Sequence, residues 1–499
     1  MEVEVMSMKE VVTVKEMRMM EDKTFKDQHI SSFELMEKVG QAMFQTFLKD
    51  NQKKGNLLLI CGTGNNGGDA LVFGEEASRN RFNVKTIIVG DVTNQTDESL
   101  TMTKRYTKRN SSIHYVNSFE EFHQLITQLT NIDCIVDGLF GIGLTREVTG
   151  LYHDVIEWIN QQNTDVLSID VPSGLHADTG KIMGVAVKAT KTYTVEIIKQ
   201  GLLLEDALDM IGELTVIQVD MEKIENNKYY IDTFRTPQKR FHNTHKYHYK
   251  NVLTIGGQKG VMGAITLAGH SALIAGAGLS TISTNVHNQS YFIQTVPELM
   301  YETIDDRYDL QQLMIKKDAV LFGLGARKTT TFEEMVYETI IKLDIPVVLD
   351  ANGIQLLKKN KERRNNRTII TPHYGEFAKL MNVSVQDIKE KPLEYIKKCI
   401  KQYHCEIVLK GPATIYATND KIIYLNQGTP ALAKAGSGDV LAGILLTYVA
   451  RDLPIEQGIL LHMLAAQEAS KTKHMESVLA TDIIENIPKV YQMCTKEES

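Results

Sequence analysis

Twice along this chain, short unbroken apolar runs alternate with stretches of helical spacing. No other feature restricts the fold as much. The first series contains Leu57–Cys61, Val84–Val89, Cys134–Val136, Val166–Ile169 and Leu214–Val219. The second contains Val252–Ile255, Val320–Phe322, Val347–Leu349, Thr368–Ile370, Ile407–Leu409 and Ile422–Leu425. Strands that are apolar at every residue are covered on both faces, and strands that alternate with helices pair in parallel. Two α/β/α units are therefore predicted. Residues 10–50 carry helical spacing through Val12, Met17, Met20, Leu35, Met36, Val39, Met43 and Phe47, and the methionines read as core. The small-residue segment Gly263–Gly278 reads as a helix packed closely on the sheet.

Between the two series, residues 221–250 are polar, charged and rich in histidine. The organisation that follows is a first domain over residues 1–220, a linker over 221–248 and a second domain over 249–499. His242, His245 and His248 are spaced three apart, but with no cysteine or carboxylate partner nearby they read as a solvated linker and not a metal site.

Composition narrows the partners. A net charge of -7 leaves no basic footprint for nucleic acid. Anionic small molecules stay open, because helix N-termini hold phosphate whatever the net charge. The five cysteines are an odd number with no CxxC pair, which argues against a disulfide framework or a zinc site and for a reducing, cytoplasmic setting. The first residues lack the apolar core of a signal peptide, and no apolar run reaches the roughly 18 residues of a membrane helix.

Three loops follow strands of the first series. Leu58–Cys61 runs into Gly62-Thr63-Gly64-Asn65-Asn66-Gly67-Gly68-Asp69, a Rossmann-like arrangement of strand, glycine-rich loop and helix. Glycines let a ligand approach the backbone, and the helix N-terminus offers free N–H groups to phosphate. The other two loops are Asp137–Leu144 and Asp170–Leu175. Ligands bind at the carboxyl ends of strands in such sheets, so Asn66, Asp137, Asp170 and Ser173 converge. Their oxygens suit a hard cation, and a remaining carboxylate suits acid–base work.

With LMEKVG, GTGNNGGDA, DGLFGIGL, IDVPSGLHADTG and KQGLLL, the stretch from Val12 to Val219 resembles the NAD(P)H-hydrate epimerases. The resemblance implies that Asn66, Asp137 and Ser173 ligate potassium. It implies that Asn65, Asn66, Gly67, Gly68 and Asp69, with Gly141, Ile142, Gly143, Leu144, Thr145, Arg146, Glu147 and Asp170, hold the hydrated nucleotide. Asp170 would be the catalytic acid/base that interconverts the R and S hydrates. Two departures stand out: Thr194–Ile198 replaces a small-residue stretch of the family, and Gln200 replaces its proline.

In the second half, Ala433-Lys434-Ala435-Gly436-Ser437-Gly438-Asp439 opens a helix. Its N–H groups and the helix dipole make an anion hole at Gly436, Ser437 and Gly438. An Asp beside a transferring phosphate can accept the proton of the attacking hydroxyl. The loop resembles the G-x-G-D loop of ribokinase-like folds. Taken with IGGQKGVMGA, LFGLGA, VVLDANG, TPHYGEF and VLKGPATI, the region from Tyr249 to Val490 resembles the ADP/ATP-dependent NAD(P)H-hydrate dehydratases. That resemblance implies that Ala264, Gly325, His373 and the catalytic Asp439 contact the hydrate. It assigns Lys410, Gly411, Pro412, Ala413, Thr414 and Gly438 to the nucleotide, with magnesium on the phosphates. ADP is the expected phosphate donor, with ATP as the other possibility. A homo-oligomer is expected from both resemblances. Asp350 and Asn352 either line the pocket or cap the next helix, and Lys434 either adds charge near the phosphate or faces solvent. Two competing readings are a vitamin or sugar kinase fused to a nucleotide-binding module, and a non-catalytic nucleotide-binding scaffold.

Overall fold

The computed structural model describes residues 8–51, 55–109, 113–129, 131–237, 240–359 and 366–497. Two compact units divide between Lys228 and Tyr229, inside the stretch set out above as a linker. The reason is local burial: Met221 belongs to the first core, whereas Ile231 and Phe234, at 2% and 6% exposure, belong to the second. His242, His245 and His248 are exposed. Among the described residues no helix is long and apolar enough to cross a membrane.

The strands of the first unit are β1 (Lys9–Val12), β2 (Asn56–Cys61), β3 (Asn83–Val89), β4 (Ile113–Val116), β5 (Cys134–Gly138), β6 (Asp165–Ile169), β7 (Lys191–Val195), β8 (Ile198–Lys199) and β9 (Glu213–Ile217). Seven of them form a wholly parallel sheet in the order β4-β3-β2-β5-β6-β7-β9. Successive side chains of a strand point to opposite faces. Leu57, Leu59 and Cys61 accordingly enter one core layer, and Leu58 and Ile60 the other. The chain winds outward from β2 through β3 to β4, then returns to β5, so the strand order reverses between β2 and β5. A crevice opens at such a switch point, outside the carboxyl ends of the strands.

The helical reading of residues 10–50 needs one correction. Val12 lies in β1, which pairs with β8. The rest forms two helices, Val14–Asp27 and Ser32–Asp50, each opened by a capping box, Thr13 with Glu16 and Ser31 with Glu34. Met17, Met20, Met36 and Met43 are buried as expected.

After β10 (Lys228–Tyr230), the second unit carries β11 (Asn251–Ile255), β12 (Leu279–Asn285), β13 (Met300–Ile304), β14 (Ala319–Phe322), β15 (Val347–Leu349), β16 (Thr368–Ile370), β17 (Glu406–Leu409), β18 (Thr414–Ala417) and β19 (Ile422–Leu425). These nine run in the order β13-β12-β11-β14-β15-β16-β17-β18-β19. Pairing is parallel up to β17 and antiparallel through β18 and β19. The order reverses here between β11 and β14. Val252, Leu321, Val348, Ile369 and Val408 face one core, while Leu253, Val320, Leu349, Ile370 and Ile407 are buried on the opposite face. Both units are therefore three-layer α/β/α sandwiches, the class read from the sequence. The helix Gly263–Ile274 ends before Gly278, where Gly276 takes φ +111°. It packs backbone-close on the helix Ser437–Ala450: a Cβ on Gly443 would lie 2.1 Å from the Ala268 carbonyl oxygen.

Candidate active sites

In the first unit, glycines let the switch-point loops touch. A Cβ on Gly62 would stand 2.0 Å from the Leu139 carbonyl oxygen, and one on Gly67 would stand 2.1 Å from the Gly62 carbonyl oxygen. Only a residue without Cβ fits either place. Asn66, in the first turn of the helix Asn65–Arg79, donates from Nδ2 to the Phe140 carbonyl at 3.0 Å. Phe140 N in turn donates to Ser173 Oγ at 2.8 Å. Asp137 is fully buried and accepts from Ser173 Oγ at 2.5 Å, Ser173 N at 2.9 Å and Ser168 Oγ at 2.8 Å. Burial pushes its carboxyl up, against the pull of those hydrogen bonds. Hydrogen bonds thus link Asn66 through the Phe140 backbone to Ser173, and Ser173 to Asp137.

Asp170 follows β6 with φ +62°, a left-handed conformation that Asp tolerates better than most residues. Its Oδ1 accepts from Lys199 Nζ at 2.5 Å, Val195 N at 3.1 Å and Thr194 Oγ1 at 3.3 Å. Lys199 is 0% exposed and also donates to the Val195 carbonyl at 2.8 Å. Asp170 borders a cleft of about 540 Å³. Asn65, Asn66, Asp69, Gly141, Ile142, Gly143, Leu144, Thr145 and Arg146 border the same cleft. Gly67 and Gly68 lie beneath it, and Glu147 points to solvent. Sequence reasoning gave no site role to Met17, Arg18 and Glu21, which the first long helix brings to the wall, nor to Lys199, quoted only as the start of KQGLLL. A lone cation among Val195–Leu204 was the available signal for Lys199. Burial, then the Asp170 carboxylate, pushes Glu21 up. Asp69 is driven well above the usual carboxylate range by burial, Asp170 and Glu21.

In the second unit, the segments carrying Ala264 and Gly325 meet at the switch point, where Gln258 N donates to the Gly325 carbonyl at 2.9 Å. Gly325 has φ +62° and a Cβ there would stand 2.6 Å from the Val261 carbonyl oxygen. His373 caps the helix Tyr374–Met381, its Nδ1 accepting from Gly375 N at 3.0 Å and Glu376 N at 3.3 Å. It is exposed, and its Nε2 lies 3.6 Å from Glu376 Oε2. Lys410, at the end of β17, is held by its N–H to the Pro372 carbonyl at 2.8 Å. Gly411, Pro412 and Ala413 form the turn into β18, whose first residue is the buried Thr414.

Asp439 lies in the first turn of the helix Ser437–Ala450, after Gly436 at φ +92°. Burial first, then the neighbouring Asp350, pushes its carboxyl up to about 6, against the pull of Lys410. Ser437 Oγ meets His462 Nε2 at 3.3 Å, and burial drives that imidazole down to about 4, so it is neutral at pH 7. The residues left open above are also placed. Asp350 faces Lys410, Asn352 exchanges hydrogen bonds with Thr329, and Lys434 Nζ donates to the Glu476 carbonyl.

Two doubly wound units, one holding Asp170 beside a cleft bordered by glycine-rich loops and the other holding Asp439 after Gly436, are the architecture of an α/β enzyme. The family described as NAD(P)H-hydrate dehydratase matches residues 252–489, and the family described as YjeF-related protein N-terminus matches residues 32–201. The bifunctional NAD(P)H-hydrate repair enzyme of Coxiella burnetii is 31% identical over 92% of this chain and 94% of its own length. That of Escherichia coli K12 is 29% identical over 92% of this chain and 90% of its own length. A solved ADP/ATP-dependent NAD(P)H-hydrate dehydratase from Bacillus subtilis, co-crystallised with ATP and magnesium, is 28% identical. It covers 52% of this chain and 95% of its own, with a TM-score of 0.48. The chain belongs to the bifunctional NAD(P)H-hydrate repair enzymes. That membership, which spans both halves, sets aside the fused vitamin or sugar kinase and the non-catalytic scaffold.

Proposed function

We propose that the family activity, repair of hydrated NADH and NADPH, is divided between the two crevices, with Asp170 and Asp439 as the respective proton-transfer groups. In the first, Asp170 protonates the ring hydroxyl. The C–O bond breaks, water leaves, and the ring nitrogen's lone pair stabilises the cation. Water returns on the other face and yields its proton to Asp170, which interconverts R and S. Lys199 holds the carboxylate in place, and the Gly141–Arg146 loop with Asn65–Asp69 seats the nucleotide.

Potassium fits the constellation beside it. Asp137 is a fully buried carboxylate whose hydrogen bonds come from Ser168, Ser173 and the Leu139 N–H, with no cationic side chain among them. A buried charge is normally paired or bound to a metal. Asp137, Asn66 and Ser173 would hold the ion, which supplies charge balance and fixes the loops.

In the second crevice, Asp439 takes the proton of the ring hydroxyl of the S hydrate, whose oxygen attacks the β-phosphate of ADP. The bond to AMP breaks, and the Gly436, Ser437 and Gly438 loop with Lys410 stabilises the transferring charge. The phosphorylated hydrate then loses phosphate and a ring proton, which restores NADH or NADPH. Ala264, Gly325 and His373 face the hydrate, and Lys410–Thr414 with Gly438 face the nucleotide. Magnesium would be held by the nucleotide's phosphates and would supply neutralisation of their charge. The nearby Asp350 and Glu376 are already engaged, by Lys410 and by the His373 N–H respectively. A reducing, cytoplasmic setting, read from the odd number of cysteines without a CxxC pair, and a homo-oligomer belong to the same reading.

The observation that carries this reading is Asp439, a carboxyl with raised proton affinity at an anion loop that Lys410 reaches. The test is recovery of absorbance at 340 nm from mixed hydrate epimers with potassium, magnesium and ADP. Both epimers are consumed by the wild type, the S form alone is consumed rapidly by Asp170→Asn, and neither by Asp439→Asn. Accumulation of a stable phosphoester without recovered absorbance overturns it.

A further inference from the structure

Asp350 has no part in the chemistry above, yet its carboxylate is only 4% exposed and both its oxygens accept from Lys410 Nζ, at 3.0 and 3.1 Å. Oδ1 also accepts from Ala351 N at 2.7 Å. Ala351 has φ +48°, a conformation an alanine rarely adopts, so the backbone turn that presents the carboxylate is held by its surroundings. The same ammonium stands 3.3 Å from the place a Cβ on Gly438 would occupy. Lys410 therefore bridges Asp350 to the anion loop. An unanchored lysine is a flexible cation that loses side-chain freedom when it engages phosphate, whereas this one is already aimed.

We propose that Asp350 is a positioning residue of the dehydratase: it holds the Lys410 ammonium over Gly438 for the incoming phosphate, and it faces Asp439 with a negative charge. The inference rests on reading Asp439 as the base. The groups that face Asp439 are Asp350 after β15, Lys410 after β17 and Glu376 on the helix Tyr374–Met381. His462 lies behind the loop, bonded to Ser437. Of the two like charges, Asp350 has the larger effect on Asp439. Removing it lowers the proton affinity of Asp439, whereas removing Lys410 raises it. A residue that merely supports the fold would do neither.

The test uses the full chain with the S hydrate and magnesium-ADP, following kcat and KM for ADP from pH 5 to 9. Asp350→Asn keeps the shape and one hydrogen bond to Lys410. Its expected result is an acid limb of kcat moved about one pH unit lower and a KM for ADP raised about tenfold. Lys410→Met is expected to move the limb the opposite way. Epimerisation in the same molecule stays unchanged, and an unshifted melting transition of the C-terminal unit reports on its folding. A limb and KM that both stay at wild-type values in Asp350→Asn overturn the proposal, as does a limb that moves to higher pH. If Asp350→Asn loses dehydration entirely, Asp350→Glu decides. A limb at the wild-type pH with a raised KM supports the proposal, and a displaced limb with a wild-type KM overturns it. Dehydration that survives Asp439→Asn overturns the base assignment itself, an outcome separate from all of these.

Discussion

Replacing Asp439 with asparagine is expected to stabilise the C-terminal unit while removing its chemistry. The carboxyl is raised from 3.8 to about 6, chiefly by burial. A rise of about two units, at roughly 1.4 kcal/mol each, is about 3 kcal/mol of disfavour for the ionised form in the folded state. The native state binds this proton more tightly than the unfolded chain does. The group's contribution is therefore intact below about pH 4 and is lost as pH rises through about 6. Asparagine does not ionise and loses nothing over that window. At pH 8 the variant is expected to be more stable by about 2–3 kcal/mol, or about 5–10 °C in Tm for a unit of this size. At pH 4 the two proteins converge. Calorimetry at pH 4, 6 and 8 measures this, and the relevant transition is the one that added ADP raises. A difference that stays constant with pH, or a variant less stable at pH 8, refutes the reasoning. The first would mean that Asp439 is not electrostatically strained, and the second that the attraction of Lys410 outweighs its burial.

Lys199→Met leaves Asp170 without its buried cation. Loss of R-to-S conversion and destabilisation of the N-terminal unit by about 3–5 kcal/mol are expected, read by epimer chromatography and urea melts with dehydration of S hydrate retained. Asp137→Asn removes the only formal charge among the three residues assigned to potassium, and the potassium concentration for half-maximal epimerisation is expected to rise at least about tenfold, measured by salt titration at constant ionic strength. Gly438→Ala places a methyl 3.3 Å from Lys410 Nζ at the anion loop, so KM for ADP is expected to rise about tenfold or more with Tm nearly unchanged.

Much of this was legible because backbone and pattern carry it. The apolar runs ending at Cys61, Val136 and Ile169 lie in β2, β5 and β6, and the glycine-rich strings after the first two lie at the switch point. Periodicity reports burial, and glycines report close backbone approach, so both are visible in one dimension. The pairing of Lys199 with Asp170 was not legible. The lysine bonds a carboxylate 29 positions away through a two-residue strand, and no local rule places a charged side chain at full burial. Val12 was read as helical because an apolar residue beside a helix start cannot reveal that its strand partner is Ile198–Lys199. β12, β13 and β18 carry Ser, Thr, Tyr or Glu among their apolar residues and so fell below the pattern that marked their neighbours. Ile231 and Phe234 vanished into a polar stretch for a similar reason: two anchoring side chains do not change its composition. Asp350 could be placed beside the site but not given a partner, since its contact with Lys410 spans 60 positions.

The Asp170–Lys199 pair has a consequence for the salt response of the two activities. Counter-ions weaken interactions between charges that water reaches, over about 8–10 Å at cellular ionic strength, and barely touch a pair from which water is excluded. Lys199 has no exposed surface. The field at Asp170 is thus fixed when the chain folds, and at a constant potassium concentration the ionic medium is expected to act on the epimerase through nucleotide capture at the exposed rim, where Arg18 and Arg146 lie. Raising salt at constant potassium is therefore expected to weaken how tightly this half holds its substrate while leaving turnover of the bound hydrate almost untouched.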